Sequence, residues 1–180
     1  SMNIRKNTFI IGTISRLVEE KGIKELVLAF EKLQLIVPNS MLIIIGSRLV
    51  SDHNQDINNF LKEKKKKLSN KLLLLGYQTK VNKILSILDI FCLLSWREGM
   101  PRTIIEAMMM GKPVIGTNIR GSRELIIHKK TGLILPVKNE NKLKCGIEFF
   151  IRNKNKCKTY GFNGFKIARK NYDEDKIVSK

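Results

Sequence analysis

The chain has 180 residues, of which 43% are hydrophobic and 28% charged, a composition typical of one globular domain and unlike that of a disordered chain. No apolar stretch approaches the length that spans a bilayer, and the three cysteines lack the spacing of a disulfide framework or a zinc knuckle, so a reducing cytoplasm fits best. The net charge of +18 predicts attraction to polyanions, but charge alone does not choose between nucleic acid, anionic lipid and nucleotide phosphates.

Apolar runs alternate with helical periods along the chain, a pattern typical of repeated βαβ units. The predicted strands are 8–14, 41–45, 71–75, 89–94, 113–117 and 132–135. The predicted helices start near residue 22, cover the lysine-rich run 62–67, span 81–88, 103–110 and 122–127, and continue as two helices from residue 140, with a weakly ordered tail after residue 172. We interpret the lysine-rich run as the solvated face of its helix. The pattern predicts one α/β domain over 1–180, built on a Rossmann-like, doubly wound parallel sheet of about six strands.

In such a sheet, ligands bind outside the carboxyl ends of the strands. The loops at these ends are 15–22, 46–52, 76–80 and 95–102. The first loop carries Arg16 and Lys21 and leads into a helix N-terminus, where two cations and free amides suit a diphosphate. The alternative that both are ordinary surface cations of a lysine-rich chain stays open. The loop lacks the GxGxxG motif, which disfavours a dinucleotide site for hydride transfer. It also lacks GxxxxGK(S/T), so it is not a phosphate-binding loop of that type.

A second candidate contains two carboxylates, Glu98 and Glu106, separated by seven residues. Gly99 beside Glu98 permits close backbone approach to a ligand, and Pro101 is well suited to the start of a helix. A carboxylate can accept paired hydroxyl donors from a ribose or a hexose. Since Glu98 lies between a predicted strand end and a glycine, no local structural role explains it, and a ligand is favoured.

The helix that starts at Arg102 and Thr103 supports two interpretations. Its free amides can receive phosphate oxygens. Thr103 and Glu106 also fit the T-x-x-E capping box, in which the glutamate only ties down the start of its own helix. On spacing alone the capping box is favoured.

The combination of these segments resembles a known family. The stretch SWREGMPRTIIEAMMMGKPVIGT, residues 95–117, resembles the E-x7-E signature region of retaining glycosyltransferases of family four. Residues 15–22 resemble the family's G-R-L-x-x-x-K-G loop, with Ser15 in place of the usual glycine. Four further segments, 42–46, 75–77, 121–125 and 131–136, are similar to later parts of its pattern, with Thr131 replacing an asparagine. The match covers roughly 8–136.

The resemblance implies a GT-B architecture, in which two Rossmann-like domains face each other across a cleft and the C-terminal domain holds the nucleotide-sugar donor. The chain looks like that C-terminal domain, with residues 140–180 as its last helices and the N-terminal, acceptor-binding domain absent from the chain. The implied reaction transfers a hexose to an acceptor hydroxyl with retention, in synthesis of a bacterial capsule, lipopolysaccharide or other surface polysaccharide. We expect the isolated domain to be inactive without its missing half.

The resemblance also assigns roles to residues. Arg16 and Lys21 would bind the diphosphate and stabilise it as a leaving group, and Glu98 is the third residue assigned to catalysis. Glu106 would hold the ribose. The residues assigned to the donor are Arg16, Lys21, Gly76, Tyr77, Gln78, Glu98, Gly99, Met100, Pro101, Arg102, Thr103 and Glu106. No cofactor or metal is implied, and we interpret the only D-x-D, at 173–175, as solvated charge in the tail.

The implied partners are a nucleotide-sugar donor, for which a UDP-sugar is favoured, the N-terminal domain of the same enzyme, and a lipid-linked or glycan acceptor at the membrane. Nucleic acid is not expected. We expect a cytoplasmic protein, for which a peripheral place at the inner face of the plasma membrane stays open. The rival interpretations are a basic module that binds nucleic acid or an anionic membrane, and a GT-B-like nucleotide-sugar epimerase. The single tryptophan, Trp96, argues against a single-strand binder with interleaved aromatic residues.

Overall fold

The computed structural model describes residues 5–48 and 56–172. Its strands are β1 (Phe9–Ile14), β2 (Ser40–Ile45), β3 (Leu72–Leu74), β4 (Ile90–Leu93), β5 (Val114–Thr117) and β6 (Gly132–Leu135). They form one parallel sheet in the order β3-β2-β1-β4-β5-β6, which is the order of a doubly wound, Rossmann-like sheet. The predicted fold class is confirmed, and every strand lies within one residue of its predicted ends.

Helices follow the strands in the expected alternation. They are α1 (Ile23–Gln34), α2 (Asp56–Leu68), α3 (Val81–Ile87), α4 (Arg102–Met109), α5 (Arg120–Leu125), α6 (Glu140–Arg152) and α7 (Lys154–Tyr172), with a 3-10 turn at Glu19–Lys21 before α1. The lysine-rich run lies on α2, whose buried positions are Ile57, Leu61 and Leu68, so the predicted helix is confirmed. The run is a solvated face only in part, because the side chain of Lys64 is 14% exposed in its ion pair with Glu31. The predicted tail after residue 172, the acidic run 173–175 and loop residues 49–52 lie outside the described residues. No helix in the described part of the chain is long and apolar enough to span a bilayer.

The strands are apolar on both faces because helices cover the sheet on both sides. On one side, α1, α2 and α6 pack against a core that contains Ile11 and Leu42, and on the other side, α3, α4 and α5 pack against Ile10 and Ile43. Successive residues of a strand therefore enter different cores. Each fully buried isoleucine of this kind contributes about 1.5–3 kcal/mol to folding.

The carboxyl edge of the sheet has a crevice where the strand order reverses, because β1 is bonded to β2 on one side and to β4 on the other. The loops after β1 and β4 meet there. Gly22 has a left-handed conformation (φ 66°), and a Cβ at this position would lie 2.3 Å from the carbonyl oxygen of Leu94. The amide of Trp96 donates to the carbonyl of Glu20 (2.8 Å). These contacts fix the two loops against each other and position the candidate site.

Candidate functional site

An ion pair crosses the crevice between the loops after β1 and β4. Lys21 ends the 3-10 turn before α1, and Glu98 lies in the loop between β4 and α4. The Nζ of Lys21 lies 2.5 Å from Oε1 of Glu98, and the two side chains are only 13% and 19% exposed. The structure thus brings together two of the residues that the resemblance assigns to catalysis, although 77 positions separate them along the chain.

A second contact, a hydrogen bond, also holds the Glu98 carboxylate in place. The hydroxyl of Ser95 donates to the same Oε1 (2.7 Å), and the hydroxyl of Thr117, at the end of β5, donates to the carbonyl of Ser95 (2.5 Å). Both hydroxyl residues are buried. Because a buried hydrogen bond restricts the rotamers of the groups that make it, this chain of contacts orients the Glu98 carboxylate towards Lys21.

Arg16 lies on the same loop as Lys21, where Glu20 connects two cations. Nη2 of Arg16 lies 3.3 Å from Oε1 of Glu20. Arg97, which the sequence interpretation missed, donates to Oε2 of the same carboxylate from Nε (3.1 Å) and Nη2 (2.9 Å). Arg97 immediately precedes Glu98, and this position beside a candidate carboxylate was the available signal. With the Lys21–Glu98 pair, the two loops thus bring three cations and two carboxylates together.

The start of α4 differs from the capping box that spacing favours. The N-cap is Pro101, α4 begins at Arg102, and no side chain caps the helix. The capping-box interpretation is therefore wrong: the helix starts one residue earlier than predicted, so Thr103 is the second helical residue and its hydroxyl is not at the capping position. The first amides of α4 are left without a side-chain cap, which is the arrangement that receives anions.

Glu106 lies on α4, about one turn after its start. Partial burial raises the pKa of its carboxyl above the ordinary value, and the charge of Arg102 partly opposes this effect. Before the helix, Gly99 and Met100 are exposed. Gly121 of α5 supports them from behind, since a Cβ there would lie 2.1 Å from the Gly99 carbonyl oxygen. The loop is thus held in place while its outer surface is accessible.

Three of the residues assigned to the donor, Gly76, Tyr77 and Gln78, lie farther along the same edge, after β3. Gly76 is left-handed (φ 63°), and its carbonyl accepts a hydrogen bond from the Gly46 amide (2.8 Å). Tyr77 is 73% exposed, and the side-chain amide of Gln78 donates to the Leu75 carbonyl (2.7 Å). Because β2 lies between β3 and β1, these residues share the carboxyl edge with the Lys21–Glu98 pair but do not adjoin it.

Arg48 is a further cation at this edge that the sequence interpretation did not single out. It follows β2, next to Ser47, whose carbonyl accepts a hydrogen bond from the Leu17 amide (3.2 Å) in the loop after β1. The Nε of Arg48 is buried, and nothing in the described residues accepts a hydrogen bond from it. Its place in the loop at the carboxyl end of a strand was the only signal in the sequence.

Residues 5–48 and 56–172 contain no cluster of three or more His, Cys, Asp or Glu side chains that could hold a metal ion. Trp96, beside the Glu98 loop, has structural contacts. Its indole donates to Oε1 of Glu25 (3.2 Å), and the Nζ of Lys138 lies 3.7 Å from its ring centroid. Trp96 therefore braces the loop rather than opening towards a ligand.

Comparisons with known proteins agree with this geometry. The family model described as Glycosyl transferases group 1 matches residues 1–167. An uncharacterised glycosyltransferase of Methanocaldococcus jannaschii is 36% identical over 125 residues, which cover 69% of this chain and 30% of that protein. The UDP-Gal:alpha-D-GlcNAc-diphosphoundecaprenol alpha-1,3-galactosyltransferase of Escherichia coli is 28% identical over 182 residues, 94% of this chain and 45% of that protein.

A solved structure gives the same result for the fold. The crystal structure of Anabaena Alr3699/HepE in complex with UDP-glucose has a TM-score of 0.88 and 27% identity, with coverage of 96% of this chain and 47% of that one. The chain therefore spans less than half the length of each of these three relatives. Its Rossmann-like sheet is of the kind found in GT-B glycosyltransferases, and with residues 1–167 matched the chain belongs to the glycosyl transferases group 1 family.

Proposed function

We propose that this chain is the C-terminal, donor-binding domain of a retaining glycosyltransferase of family four, and that the donor binds in the crevice between β1 and β4. The observation that carries this proposal is the Lys21–Glu98 pair (2.5 Å), which places a cation and a carboxylate together at the switch point of the sheet. A nucleotide sugar needs both groups, because its diphosphate is anionic and its sugars are hydroxyl donors. The UDP-glucose bound to the Anabaena relative supports a UDP-sugar as the donor.

The diphosphate is the part of the donor that the cations would bind. Arg16 and Lys21 reach it from the loop after β1, and the amides at the start of α4 reach it from the other side of the crevice. When the bond from the sugar to the departing phosphate breaks, negative charge develops on that phosphate. Fixed cations and amides stabilise this charge in a partly desolvated site, so these residues supply catalysis without a requirement for a metal.

The carboxylates would orient the two sugar rings. Glu98, with the backbone of Gly99, Met100 and Pro101, addresses the transferred hexose, while Glu106 accepts hydroxyl donors of the ribose. The base would contact residues 76–78, largely through their backbone. Glu98 has a further role before the donor arrives, because its contact with Lys21 keeps that cation directed into the crevice.

The acceptor side lies beyond this chain. We propose that the N-terminal domain of the full-length enzyme binds the acceptor and closes the cleft, so that the isolated chain binds donor without turnover. By its name, the Escherichia coli relative uses a diphosphoundecaprenol-linked acceptor. A lipid-linked or glycan acceptor in bacterial surface polysaccharide synthesis, used at the cytoplasmic face of the membrane, is the corresponding proposal for this protein.

A thermal-shift screen of nucleoside diphosphates and their sugars tests this proposal. We expect the Tm of the isolated chain to rise with one nucleoside diphosphate, UDP before GDP or ADP, because a ligand that binds only the folded state stabilises it by mass action. Calorimetry on Arg16→Ala should then show a loss of about 1.5–3 kcal/mol, roughly ten- to a hundredfold in Kd. If no nucleotide changes the Tm while an oligonucleotide binds with steep salt dependence, the basic-module interpretation replaces this one.

Only an activity assay on the full-length protein distinguishes epimerisation of the nucleotide sugar from sugar transfer. We expect the full-length enzyme to move a radiolabelled hexose from its nucleotide to an acceptor. Conversion of the nucleotide sugar into its epimer, without transfer, would contradict the proposal.

A further inference from the structure

The last helix, α7, has a charge pattern unlike that of the other helices. It runs over Lys154–Tyr172 and contains six cations and no aspartate or glutamate. The cations are Lys154, Lys156, Lys158, Lys166, Arg169 and Lys170, and all six are exposed. By contrast, the lysine-rich α2 is neutralised in part by Glu31 of α1, which binds both Lys64 and Lys67 and whose pKa is lowered by these contacts.

One stripe of α7 combines three of these cations with an exposed aromatic ring. Lys158, Phe162, Lys166 and Lys170 follow each other at intervals of four residues, which places them on one side of a helix. Phe162 is 55% exposed, and the Nζ of Lys166 lies 4.3 Å from the centroid of its ring. The opposite side of the helix is buried through Tyr160, Gly161, Gly164 and Ala168. The stripe therefore faces solvent because α7 packs on the domain with its other side.

The surface around Phe162 extends this combination of charge and apolar area. Gly161 packs against the turn after α4, where Met110 is partly exposed, and the side chain of Asn163 donates to the Lys130 carbonyl (3.0 Å). Ile127 is also exposed, as are Lys129 and Lys130. We define the α7 surface as Met110, Ile127, Lys129, Lys130, Lys158, Phe162, Lys166 and Lys170.

The cations of the stripe have no counter-charge in the described part of the chain. No carboxylate there lies within ion-pair distance of Lys158, Lys166 or Lys170. Like charges four residues apart on a helix repel each other, so the Lys166–Lys170 arrangement opposes helix formation unless an anion lies outside it. An anionic partner would remove that repulsion.

We propose that the α7 surface docks onto a bilayer that contains anionic phospholipid, with Phe162 in the interfacial region and the lysines on lipid phosphates. Large apolar side chains between cations are typical of interfacial membrane contacts, in which apolar burial and attraction to anionic headgroups add. A nucleic acid is less well matched, since one phenylalanine among aliphatic side chains offers no succession of rings on which bases could stack.

The α7 surface lies away from the donor crevice. Cys157 of α7 donates to the carbonyl of Asp89 (3.4 Å), just before β4, and Gly161 lies against Gly111, just before β5. Both contacts are at the amino ends of the strands, whereas the crevice is at the carboxyl ends. The two surfaces can be occupied together, so saturating UDP should leave membrane binding unchanged.

Vesicle sedimentation of the whole chain tests this inference. We expect the chain to bind vesicles made of equal parts phosphatidylglycerol and phosphatidylcholine, and not to bind phosphatidylcholine alone. The variant Lys158→Ala/Lys166→Ala/Lys170→Ala should weaken binding about a hundredfold, because each lysine near an anionic surface contributes about fivefold. Phe162→Ala should weaken vesicle binding without changing binding to heparin, since it alters apolar contact and no charge.

A matched variant separates a defined surface from net charge. Lys62→Ala/Lys66→Ala/Lys83→Ala removes three exposed lysines from α2 and α3, so it lowers the net charge by the same amount as the α7 variant. We expect it to bind vesicles nearly as well as the parent chain, with circular dichroism showing that both variants are folded. Equal losses in the two variants, no binding to phosphatidylglycerol vesicles, or tighter binding of an oligonucleotide than of vesicles at physiological salt would each overturn the proposal.

Discussion

The Nζ of Lys21 and the Oε1 of Glu98 lie 2.5 Å apart, and this contact joins the loops of β1 and β4 across the crevice. The two loops leave neighbouring strands in diverging directions. The Lys21–Glu98 ion pair therefore lies in the crevice where ligands of such sheets bind. A ligand with only negative charge would be repelled by Glu98. A ligand that carries phosphate next to hydroxyl groups can exchange the ion pair for one contact with each partner, and a nucleotide sugar has that composition.

Replacing Lys21 by methionine tests the phosphate contact while keeping most of the side-chain volume. We expect the affinity for UDP to fall by about 1.5–3 kcal/mol, as for loss of one charge-assisted hydrogen bond. Calorimetry at fixed salt measures this change. Lys24→Met is the matched control, because Lys24 lies on the outer side of α1 at 3.7 Å from Glu19 and its loss should leave affinity unchanged. Equal effects of the two substitutions would show that only overall charge matters.

The alternation of strands and helices could be predicted because strands covered on both sides are continuous apolar runs, of which β2 is the clearest case. The side-chain contacts of the site could not. The Thr117–Ser95–Glu98 chain depends on β5 lying beside β4, and the bridge from Arg16 through Glu20 to Arg97 depends on two loops packed together. Local periodicity contains no information on either arrangement.

The start of α4 shows why a local rule failed. Thr103 and Glu106 have the spacing of a capping box, but Pro101 occupies the N-cap and the helix begins at Arg102. Because Arg102 is already helical, Thr103 has a helical backbone and cannot serve as the N-cap, and the proline at that position has no side-chain acceptor to cap the helix. The spacing of a capping box therefore does not reveal which residue has the non-helical backbone of a cap.

Ser95 positions Glu98 without touching the proposed diphosphate. Ser95→Ala removes the donor at 2.7 Å and leaves the Lys21 contact in place. Because Glu98 is proposed to bind the hexose, we expect the affinity for UDP-glucose to fall about tenfold, the loss of one hydrogen bond to a charged group, while the affinity for UDP alone is kept. Titration calorimetry with both ligands measures the difference. An equal loss for UDP and UDP-glucose would place the effect on the fold of the loop instead.

Gly121 is the point at which α5 supports the Glu98 loop. A Cβ here would lie 2.1 Å from the Gly99 carbonyl oxygen and 2.9 Å from that of Glu98, and both are backbone atoms that cannot rotate away. We expect Gly121→Ala to lower the free energy of unfolding by about 1–3 kcal/mol, as for overpacking, and to weaken donor binding as the loop shifts. Urea denaturation and calorimetry measure the two effects.

Gly164→Ala is the contrasting helix substitution. Its Cβ would meet only the flexible Met108 side chain, at 3.4 Å, an ordinary contact. Since alanine favours a helix over glycine by about 1 kcal/mol, this variant should be as stable as the parent chain or more stable, with unchanged donor affinity. Destabilisation of both variants to the same extent would mean that any added methyl group is harmful, and the specific role given to Gly121 would be lost.

Glu106 gives the donor site a pH dependence whose sign follows from its raised pKa. Although Glu106 is exposed overall, partial desolvation of its carboxyl raises the pKa above the ordinary value in the free protein. Ribose hydroxyls donate hydrogen bonds to the ionised carboxylate. At a pH where the Glu106 carboxyl is protonated in the free protein, donor binding must therefore release that proton. Affinity for UDP is fully present above this pKa and is lost as the pH falls through it.

The phosphate of UDP titrates as well, with a pKa of about 6 if it behaves as other phosphate monoesters do. Glu106→Gln separates the two, because it keeps the shape of the side chain and removes its titration: we expect weaker binding than in the parent chain at neutral pH and a shallower decline as the pH falls. Parallel declines in both proteins, measured by calorimetry where circular dichroism shows them folded, would remove Glu106 from the ribose site.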